Sequence, residues 1–318
     1  MANAFKTALV TGGAGFIGSH LVDALVGAGC RVTVLDNLSS GSKANLEAAA
    51  GRVRLLEADL RDPAAVADAV AGCEVVFHLA AVVSVPKTVA DPLGSAAVNE
   101  TGSLQLLEAA RAAGARRVVF ASSSAVYGDD PTLPKREQMP PKPLSPYAVQ
   151  KLAVEHYLKV YNDLFALETV GLRFFNVYGP RQAPSSPYSG VISIFMARAM
   201  DGTPPTLHGD GSQTRDFVYV GDVVRALIAA AGVGAAPGRV FNVGTGGGVS
   251  IRRLWEVIAL LSGSTCDPAY GPPRAGDVPH SVSAIDAARE VLNFSPCVGL
   301  DQGLGLTLTW FREKRKMR

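Results

Sequence analysis

The stretch TALVTGGAGFIGSH, residues 7–20, decides the fold of this chain. A short apolar run ends in glycines and is followed by a segment with helical periodicity, which predicts a buried strand, a tight turn and a helix. Gly12, Gly15 and Gly18 mark the turn, and Gly13, Gly15 and Gly18 also fit the spacing GxGxxG. Glycines at such positions let the backbone approach a pyrophosphate at the helix N-terminus. The stretch therefore predicts a dinucleotide-binding loop, against the alternative of a purely structural glycine turn.

An acidic residue at the end of the second predicted strand bears on the choice of cofactor. That strand, RVTVLD, ends in Asp36, about 20 residues beyond the glycine turn, where a ribose 2′-hydroxyl is usually bound. A carboxylate there repels a 2′-phosphate, so the sequence favours NAD over NADP. Asp59 follows a further strand. The small residues Ala80 and Ala81 in HLAA leave room for the adenosine half of the cofactor against the sheet.

Strands and helices alternate along the first part of the chain. Continuous apolar runs such as EVVFHLAA and ETVGLRFFNVYG are separated by helical segments such as SLQLLEAARAAG. Such strands are typical of a parallel sheet covered by helices on both faces. We therefore expect an α/β fold, with a Rossmann-type doubly wound parallel sheet in residues 1–176 and a return segment near residues 215–247. Pro and Gly become dense afterwards, so residues 177–318 are expected to form mainly a smaller C-terminal α/β substrate-binding lobe.

The segment SPYAVQKLAVEHY, residues 145–157, places Tyr147 four positions before Lys151 on one face of a predicted helix. One interpretation is an ordinary tyrosine beside a snorkelling lysine. The other is that the lysine charge lowers the pKa of the phenol, ordinarily near ~10, so that the phenol can accept a proton from an alcohol. Serines 122–124 end a neighbouring strand, at the edge where open α/β sheets bind ligands. Together with a dinucleotide loop, these features predict oxidation of an alcohol.

Composition disfavours several classes of function. The chain has 318 residues, a net charge of +2, 48% apolar and 18% charged residues. It is therefore expected to be globular, with no electrostatic basis for binding nucleic acid or an acidic membrane. Its four cysteines form no CxxC pair and its five histidines no metal-ligand spacing, which predicts reduced thiols and no metal site. We see no signal-peptide pattern and no apolar run of ~18 residues, so a soluble cytoplasmic protein is expected.

With these motifs the chain resembles the extended short-chain dehydrogenase/reductases, and among them the NAD-dependent nucleotide-sugar epimerases of the UDP-glucose 4-epimerase kind. The matching segments run nearly end to end and include LDNLSSG, SSSAVYG, RFFNVYGPRQ, GDGSQTRDFVYVGDV and PPRAGDV. The resemblance implies NAD as the cofactor. The cofactor-binding residues that it implies are Gly12, Gly15, Phe16, Ile17, Gly18, Asp36, Asn37, Ser39, Ser40, Gly41, Asp59, Leu60, Leu79, Ala80, Ala81, Asn99, Tyr147 and Lys151.

The resemblance also implies a catalytic group and a reaction. Tyr147 matches the base and Lys151 the residue that binds the nicotinamide ribose, while Ser123 matches the catalytic hydroxyl ahead of its neighbour Ser124. Tyr147 would take the proton of a sugar C4 hydroxyl while hydride passes to NAD. The resulting 4-keto sugar would turn over and take the hydride back on its other face. The implied substrate-binding residues are Ser123, Ser124, Asn176, Val191, Arg215, Arg274, Asp277 and Ser281.

Two positions narrow the substrate within this family. Dehydratases place an Asp-Glu pair after the catalytic hydroxyl, whereas this chain has Ser124 and Ala125, so dehydration is disfavoured. Ser281 matches a gate beside the C2 substituent, and a small residue there is typical of relatives that admit N-acetyl groups. The resemblance thus implies a 4-epimerase of UDP-GlcNAc/UDP-GalNAc, with UDP-Glc/UDP-Gal as further substrates.

Other reactions on the same scaffold stay open at this point. They include UDP-glucuronate 4-epimerisation or decarboxylation and a reductase, although Asn176 argues mildly against uronates because the relatives that use them tend to carry Thr there. A non-catalytic dinucleotide-sensing protein is a further alternative, which the Tyr-Lys pair argues against. The resemblance also implies a homodimer, joined through the helices near residues 95–113 and 147–165.

Overall fold

The computed structural model describes residues 5–182, 190–273 and 278–316. Its central feature is a sheet of seven strands that are all parallel. The strands are β1 (Thr7–Thr11), β2 (Arg31–Leu35), β3 (Val53–Leu56), β4 (Val75–His78), β5 (Arg117–Ser123), β6 (Glu168–Phe174) and β11 (Arg239–Val243). They lie side by side in the order β11-β6-β5-β4-β1-β2-β3. The strand order reverses beside β1, and open α/β sheets bind ligands at such a point.

Eleven α-helices lie within the described residues. They are α1 (Phe16–Gly27), α2 (Pro63–Val70), α3 (Val85–Ala90), α4 (Pro92–Ala96), α5 (Ser103–Ala112), α6 (Pro146–Phe165), α7 (Val191–Met200), α8 (Val220–Gly232), α9 (Ile251–Ser262), α10 (Asp286–Leu292) and α11 (Leu300–Lys316). Two 3₁₀ turns cover Lys43–Ala49 and Ser124–Tyr127, and a π-helical turn covers Ala97–Gly102. Within the parts of the chain that the structure describes, no helix is long and apolar enough to cross a membrane.

Two hydrophobic cores cover the two faces of the sheet. Successive residues of a strand point to opposite faces, and in β1 Val10 joins the core under α1 and α8 whereas Leu9 joins the core under α2, α5 and α6. All five residues of β1 are buried. This explains why the strand reads as a continuous apolar run rather than an alternating one. The prediction of a Rossmann-type doubly wound sheet is confirmed.

The second lobe contains shorter strands. They are β7 (Asn176–Tyr178), β8 (Thr206–His208), β9 (Thr214–Arg215), β10 (Phe217–Tyr219), β12 (Val249–Ser250), β13 (Ala269–Gly271) and β14 (His280–Ser281). They form three small sheets, β10-β7, β12-β9-β14 and β13-β8. A third core lies under α7, α9 and α11, where Phe195 packs edge-on against Trp255 at 5.7 Å between ring centroids.

The run ETVGLRFFNVYG is not one strand, and that prediction was wrong. At Phe175 the chain leaves the central sheet, because the Phe175 amide still donates to the Val243 carbonyl of β11 whereas the Asn176 amide donates to the Asp216 carbonyl. β11 returns to the sheet beside β6. The division of the chain into domains at residue 176 stays a prediction.

Candidate active site

The glycine turn between β1 and α1 is fixed by close backbone contacts. Gly12 has φ of +69°, and a Cβ atom there would lie 2.9 Å from the Ala80 amide nitrogen. A Cβ atom on Gly18 would lie 2.1 Å from the Gly12 carbonyl oxygen. Gly15 caps α1 without a side chain, and the first turn of that helix holds no acidic residue. The helix N-terminus therefore presents free amides and a positive dipole end, as a pyrophosphate site requires.

Asp36 ties this turn to the end of β2. Its carboxylate oxygen Oδ2 accepts from the Ala14 amide at 2.9 Å, and Oδ1 accepts from the Leu38 amide at 2.8 Å. The side chain is buried. The carboxylate is thus oriented by the backbone beside the glycine turn, which fits a cofactor ribose with free hydroxyls and not one with a 2′-phosphate.

The other predicted cofactor residues border the same edge of the sheet. Asp59 is held by other side chains, since it accepts from Asn37 at 2.8 Å and pairs with Arg61 through both oxygens. The hydrogen bonds from Arg61 hold the pKa of Asp59 well below its usual range. The other predicted residues follow strands of the sheet or begin α1: Phe16 and Ile17 in the first turn of α1, Ser39, Ser40 and Gly41 after β2, Leu60 after β3, and Leu79, Ala80 and Ala81 after β4.

Lys151 lies buried on the face of α6 that meets the sheet. Ser145 and Pro146 open this helix, and the Ser145 hydroxyl accepts from the Ala148 amide at 3.2 Å. The Lys151 ammonium donates to the Ala121 carbonyl at 2.7 Å and lies 5.8 Å from the centre of the Tyr147 ring. Burial lowers the pKa of Lys151 to about 7, against a smaller upward effect from the charge of Glu155.

Tyr147 is not a ready base with these protein groups alone, so the predicted direction of its pKa was wrong. Burial raises the pKa of Tyr147 to about 12, and a hydrogen bond with Ser123 lowers it only in part. The reason is that the low-dielectric surroundings disfavour both charged forms, the phenolate of Tyr147 and the ammonium of Lys151. The site therefore contains a neutral Tyr147 phenol next to a Lys151 ammonium whose pKa is near neutral pH.

The structure distinguishes the three serines at the end of β5. Ser123 lies near enough to Tyr147 to lower the pKa of the phenol, and its hydroxyl accepts from the Ala125 amide at 3.1 Å. Ser122 points elsewhere, because its hydroxyl donates to Glu155 at 2.5 Å. Ser124 begins the 3₁₀ turn. Of the two predicted candidates, Ser123 is therefore the one that influences the pKa of the tyrosine.

Part of the predicted substrate site is brought together in the second lobe. Arg215 of β9 lies opposite Ser281 of β14 in a parallel pair. Asn176 begins β7 with an exposed side chain, and Val191 begins α7. The other two predicted substrate residues, Arg274 and Asp277, lie outside the described residues.

Comparisons with known proteins agree with this geometry. The NAD dependent epimerase/dehydratase family matches residues 8–244. The chain belongs to that family. The UDP-glucose 4-epimerase of Mycolicibacterium smegmatis is 45% identical over 311 residues, which cover 96% of this chain and 98% of that protein.

Two solved structures are similar over nearly the whole chain. The crystal structure of the Thermotoga maritima UDP-glucose 4-epimerase with UDP-glucose has a TM-score of 0.93 and 40% identity, and covers 97% of this chain and 99% of that one. The UDP-N-acetylglucosamine 4-epimerase of Methanobrevibacter ruminantium, in complex with UDP-N-acetylmuramic acid, has a TM-score of 0.94 and 40% identity, and covers 98% and 99%. The predictions of the family and of NAD as the cofactor are confirmed.

In this structure, the side chain of Asn99 forms hydrogen bonds with other groups of the protein. It lies in the π-helical turn, and its side chain accepts from the Val82 amide at 2.7 Å and donates to the Val82 carbonyl at 3.0 Å. It also donates to Gln150 at 2.7 Å. Asn99 thus fixes the segment after β4 against α6, while its contact with NAD stays a prediction.

The sequence interpretation missed a buried ion pair between α6 and β6. Glu155, one turn beyond Lys151, pairs with Arg173 of β6 at 2.7 Å, and both side chains are almost completely buried. Because Ser122 also donates to Glu155, the pair fixes the end of β5 against α6. The spacing of four residues from Lys151 is the signal that would have pointed to Glu155. Among the described residues, no cluster of His, Cys, Asp and Glu is arranged to hold a metal ion.

Proposed function

We propose that this family member is a 4-epimerase of UDP-hexoses, which interconverts UDP-GlcNAc and UDP-GalNAc and also accepts UDP-Glc and UDP-Gal. The observation that carries the proposal is the position of the buried Lys151 ammonium 5.8 Å from the centre of the Tyr147 ring, with Ser123 near enough to lower the pKa of the phenol. A phenol held in this way serves as an acid and a base for one carbinol oxygen.

The protein groups have separate tasks in this reaction. NAD supplies the acceptor, and later the donor, of the hydride at C4. Tyr147 takes the proton of the C4 hydroxyl and returns it, with Ser123 holding the sugar oxygen in line. Because burial raises the pKa of Tyr147 to about 12 despite the lowering effect of Ser123, removal of its proton requires a nearby positive charge, and Lys151 supplies one in its protonated form.

The substrate class rests on the second lobe. Arg215 offers a guanidinium for a diphosphate, and Ser281 opposite it is small enough to leave room for an N-acetyl group at C2. The names of the relatives support both sugar classes, since the Mycolicibacterium smegmatis protein is a UDP-glucose 4-epimerase and the Methanobrevibacter ruminantium protein a UDP-N-acetylglucosamine 4-epimerase.

The test is incubation of the purified protein with a panel of UDP-sugars, with C4 configuration followed by NMR and free NADH by absorbance. We expect inversion at C4 for the acetylated and non-acetylated hexoses without a net build-up of NADH. Build-up of NADH, or loss of CO₂ from UDP-glucuronate without C4 inversion of any hexose, would instead identify the alternative reaction on this scaffold.

Substitution of the phenol tests the assigned base. Tyr147→Phe is expected to lower kcat by a factor of about 10²–10⁴ and to leave NAD content unchanged, because only the proton-transfer group is removed. Tyr157→Phe makes the same change on an exposed tyrosine of α6 and is expected to retain full activity. Equal activity of the two variants would exclude Tyr147 as the base.

Substitution at the gate tests the substrate class. Ser281→Tyr is expected to lower kcat/KM for UDP-GlcNAc by roughly 10–100-fold and to spare UDP-Glc, because the added ring fills the space of the acetyl group. Ser281→Ala keeps the space and should retain both activities. Unchanged turnover of the acetylated sugar by the tyrosine variant would overturn the gate assignment.

We also propose that the protein is a homodimer. One face of α6 exposes an apolar stripe at helical spacing, consisting of Val149, Tyr157, Val160 and Leu164. Such a stripe is typical of a helix that packs on another helix. Leu164→Glu is expected to give monomers in light scattering, whereas Leu260→Glu on α9, which is equally exposed, is expected to leave the mass unchanged.

A further inference from the structure

We propose that Asp216 is a positioning residue whose buried carboxylate holds the UDP-binding residues of the second lobe in register, without itself contacting the substrate. This inference rests on the proposed function insofar as Arg215, Asn176 and Ser281 are taken as substrate residues. On this proposal, much of the affinity for UDP depends on a side chain that does not touch the substrate.

The contacts of Asp216 are unusually numerous for one carboxylate. Its Oδ1 accepts from the Thr245 amide at 2.7 Å and the Thr245 hydroxyl at 2.6 Å. Its Oδ2 accepts from the Gly246 amide at 3.1 Å, the Ser283 amide at 3.1 Å and the Ser283 hydroxyl at 2.5 Å. The side chain is completely buried. Asp216 thus joins three segments that are far apart in the sequence.

These three segments are the ones that form the β12-β9-β14 sheet. Asp216 directly follows β9, the segment 245–246 precedes β12, and Ser283 follows β14. Each of these strands has only two residues, so its backbone ladder contains few hydrogen bonds. Strands in globular proteins are usually longer, and here side-chain hydrogen bonds supply what the short ladders lack. Asp216 therefore fixes the register that sets Arg215 opposite Ser281.

The backbone of Asp216 also forms a hydrogen bond with β7. Its carbonyl oxygen accepts from the Asn176 amide at 2.9 Å. Residue 216 therefore contacts or adjoins the strands that carry three predicted substrate residues, Asn176, Arg215 and Ser281. A shift of Asp216 moves all three together, which predicts a loss of binding rather than a loss of chemistry.

Asp216→Asn tests the proposal with little change in shape. The amide replaces one acceptor oxygen by an NH₂ group, which meets the donors of Thr245 or Ser283 instead of accepting from them. We expect the Kd for UDP, measured calorimetrically on the NAD-containing protein, to rise by roughly tenfold or more. We expect KM for the UDP-sugar to rise with it and kcat to change less, with NAD content retained.

Two further variants separate positioning from general stability. Ser283→Ala removes one donor and is expected to raise the Kd for UDP by about three- to tenfold. Asp222→Asn is the matched control, because Asp222 is an equally buried aspartate that accepts from the Cys297 and Val298 amides at 3.2 Å. It is expected to lower Tm and to leave the Kd for UDP within about twofold of the parent value.

The outcomes distinguish this inference from the proposed function. Parent-like UDP affinity in folded Asp216→Asn, or in Ser283→Ala if the first variant does not fold, overturns the positioning role. So does an equal loss of affinity in Asp222→Asn, and so does a parent protein that does not bind UDP. A parent protein that binds UDP but inverts no sugar would contradict the proposed function without contradicting the role of Asp216.

Discussion

We call the central sheet with its helices the cofactor half, and the second lobe with its small sheets the substrate half, after the residues predicted in each. In the cofactor half, β1 has five buried residues in the middle of a seven-stranded parallel sheet. In the substrate half, β9 has two residues in a three-stranded sheet. The first half places its glycine turn mainly by strand and helix geometry, with one side chain, Asp36, accepting from the Ala14 amide. The second places Arg215 by the hydrogen bonds of Asp216 to segments 29 and 67 residues away in the sequence. The two halves thus hold their predicted ligand-binding residues with different kinds of structure.

The difference has a physical consequence for where substitutions act. A glycine turn packed against its own neighbouring backbone tolerates no added atom, so the cofactor half is sensitive at backbone positions. A lobe held by side-chain hydrogen bonds tolerates changes of volume better, but it is sensitive to the loss of one acceptor. The following predictions test this contrast.

The largest effect is expected from one methyl group in the glycine turn. Gly18→Ala would place Cβ 2.1 Å from the Gly12 carbonyl oxygen, and no side-chain rotation can separate a Cβ atom from a backbone oxygen. We expect the variant to lose NAD and to fold poorly, as measured by the NAD content and Tm of the purified protein. Gly27→Ala, on the same helix, meets nothing within 4 Å and is the matched control.

The control is expected to retain NAD, with a change in stability of no more than about 1 kcal/mol. Full NAD content in Gly18→Ala would mean that the turn relaxes, and the contrast between backbone and side-chain control would then be lost. A comparable defect in Gly27→Ala would show that α1 is sensitive throughout rather than at the turn.

The same contrast explains what the sequence could predict. The glycine turn, Asp36 and the Tyr147–Lys151 pair are local patterns, and each is positioned by the strand or helix that contains it. The Asp216 network depends on contacts between segments that no short pattern connects. The pKa of Tyr147 was predicted in the wrong direction for a related reason, because burial by the rest of the fold outweighs a neighbour at i+4.

The second-largest effect is expected from the buried Glu155–Arg173 pair, which joins α6 to β6. Glu155→Gln leaves the charge of Arg173 without its partner in a buried site, which we expect to lower the free energy of unfolding by about 3–5 kcal/mol. Because Glu155 raises the pKa of Lys151, its loss also lowers that pKa further below its present value of about 7. The high-pH limb of kcat should therefore shift to lower pH.

A second ion pair on α6 provides the control. Lys159 and Asp163 pair at 2.7 Å on the exposed face of the helix, and Asp163→Asn is expected to change stability by less than about 1 kcal/mol with no shift in the pH profile. A small effect of Glu155→Gln, similar to that of the control, would show that the buried pair contributes little. A fall in stability without a shift of the pH limb would separate the structural role of Glu155 from its effect on Lys151.

The smallest effect near neutral pH, which grows as the pH falls, is a pH dependence in the cofactor half. His78, at the end of β4, is buried between the hydroxyls of Thr11 and Ser103, at 2.8 Å from each, and burial lowers its pKa to about 3. Between that pKa and the ordinary value near 6.5, the unfolded chain binds a proton that the folded chain does not. Stability contributed by neutral His78 is therefore present above pH 6.5 and is lost as the pH falls towards 3, by up to about 1.4 kcal/mol per pH unit.

His78→Gln should remove this part of the acid dependence. We expect the variant to be less stable at pH 7, because the hydrogen bonds to Thr11 and Ser103 are altered, but to show a flatter fall in unfolding free energy between pH 6.5 and 4 in urea titrations. His156→Gln, at an exposed position of α6, is expected to keep the parent slope.

Since Thr11 directly precedes the glycine turn and its hydroxyl also accepts from the Ala80 amide at 3.2 Å, acid should release NAD before it weakens UDP binding. Loss of both ligands at one pH would show that the two halves open as a single unit, despite their different construction.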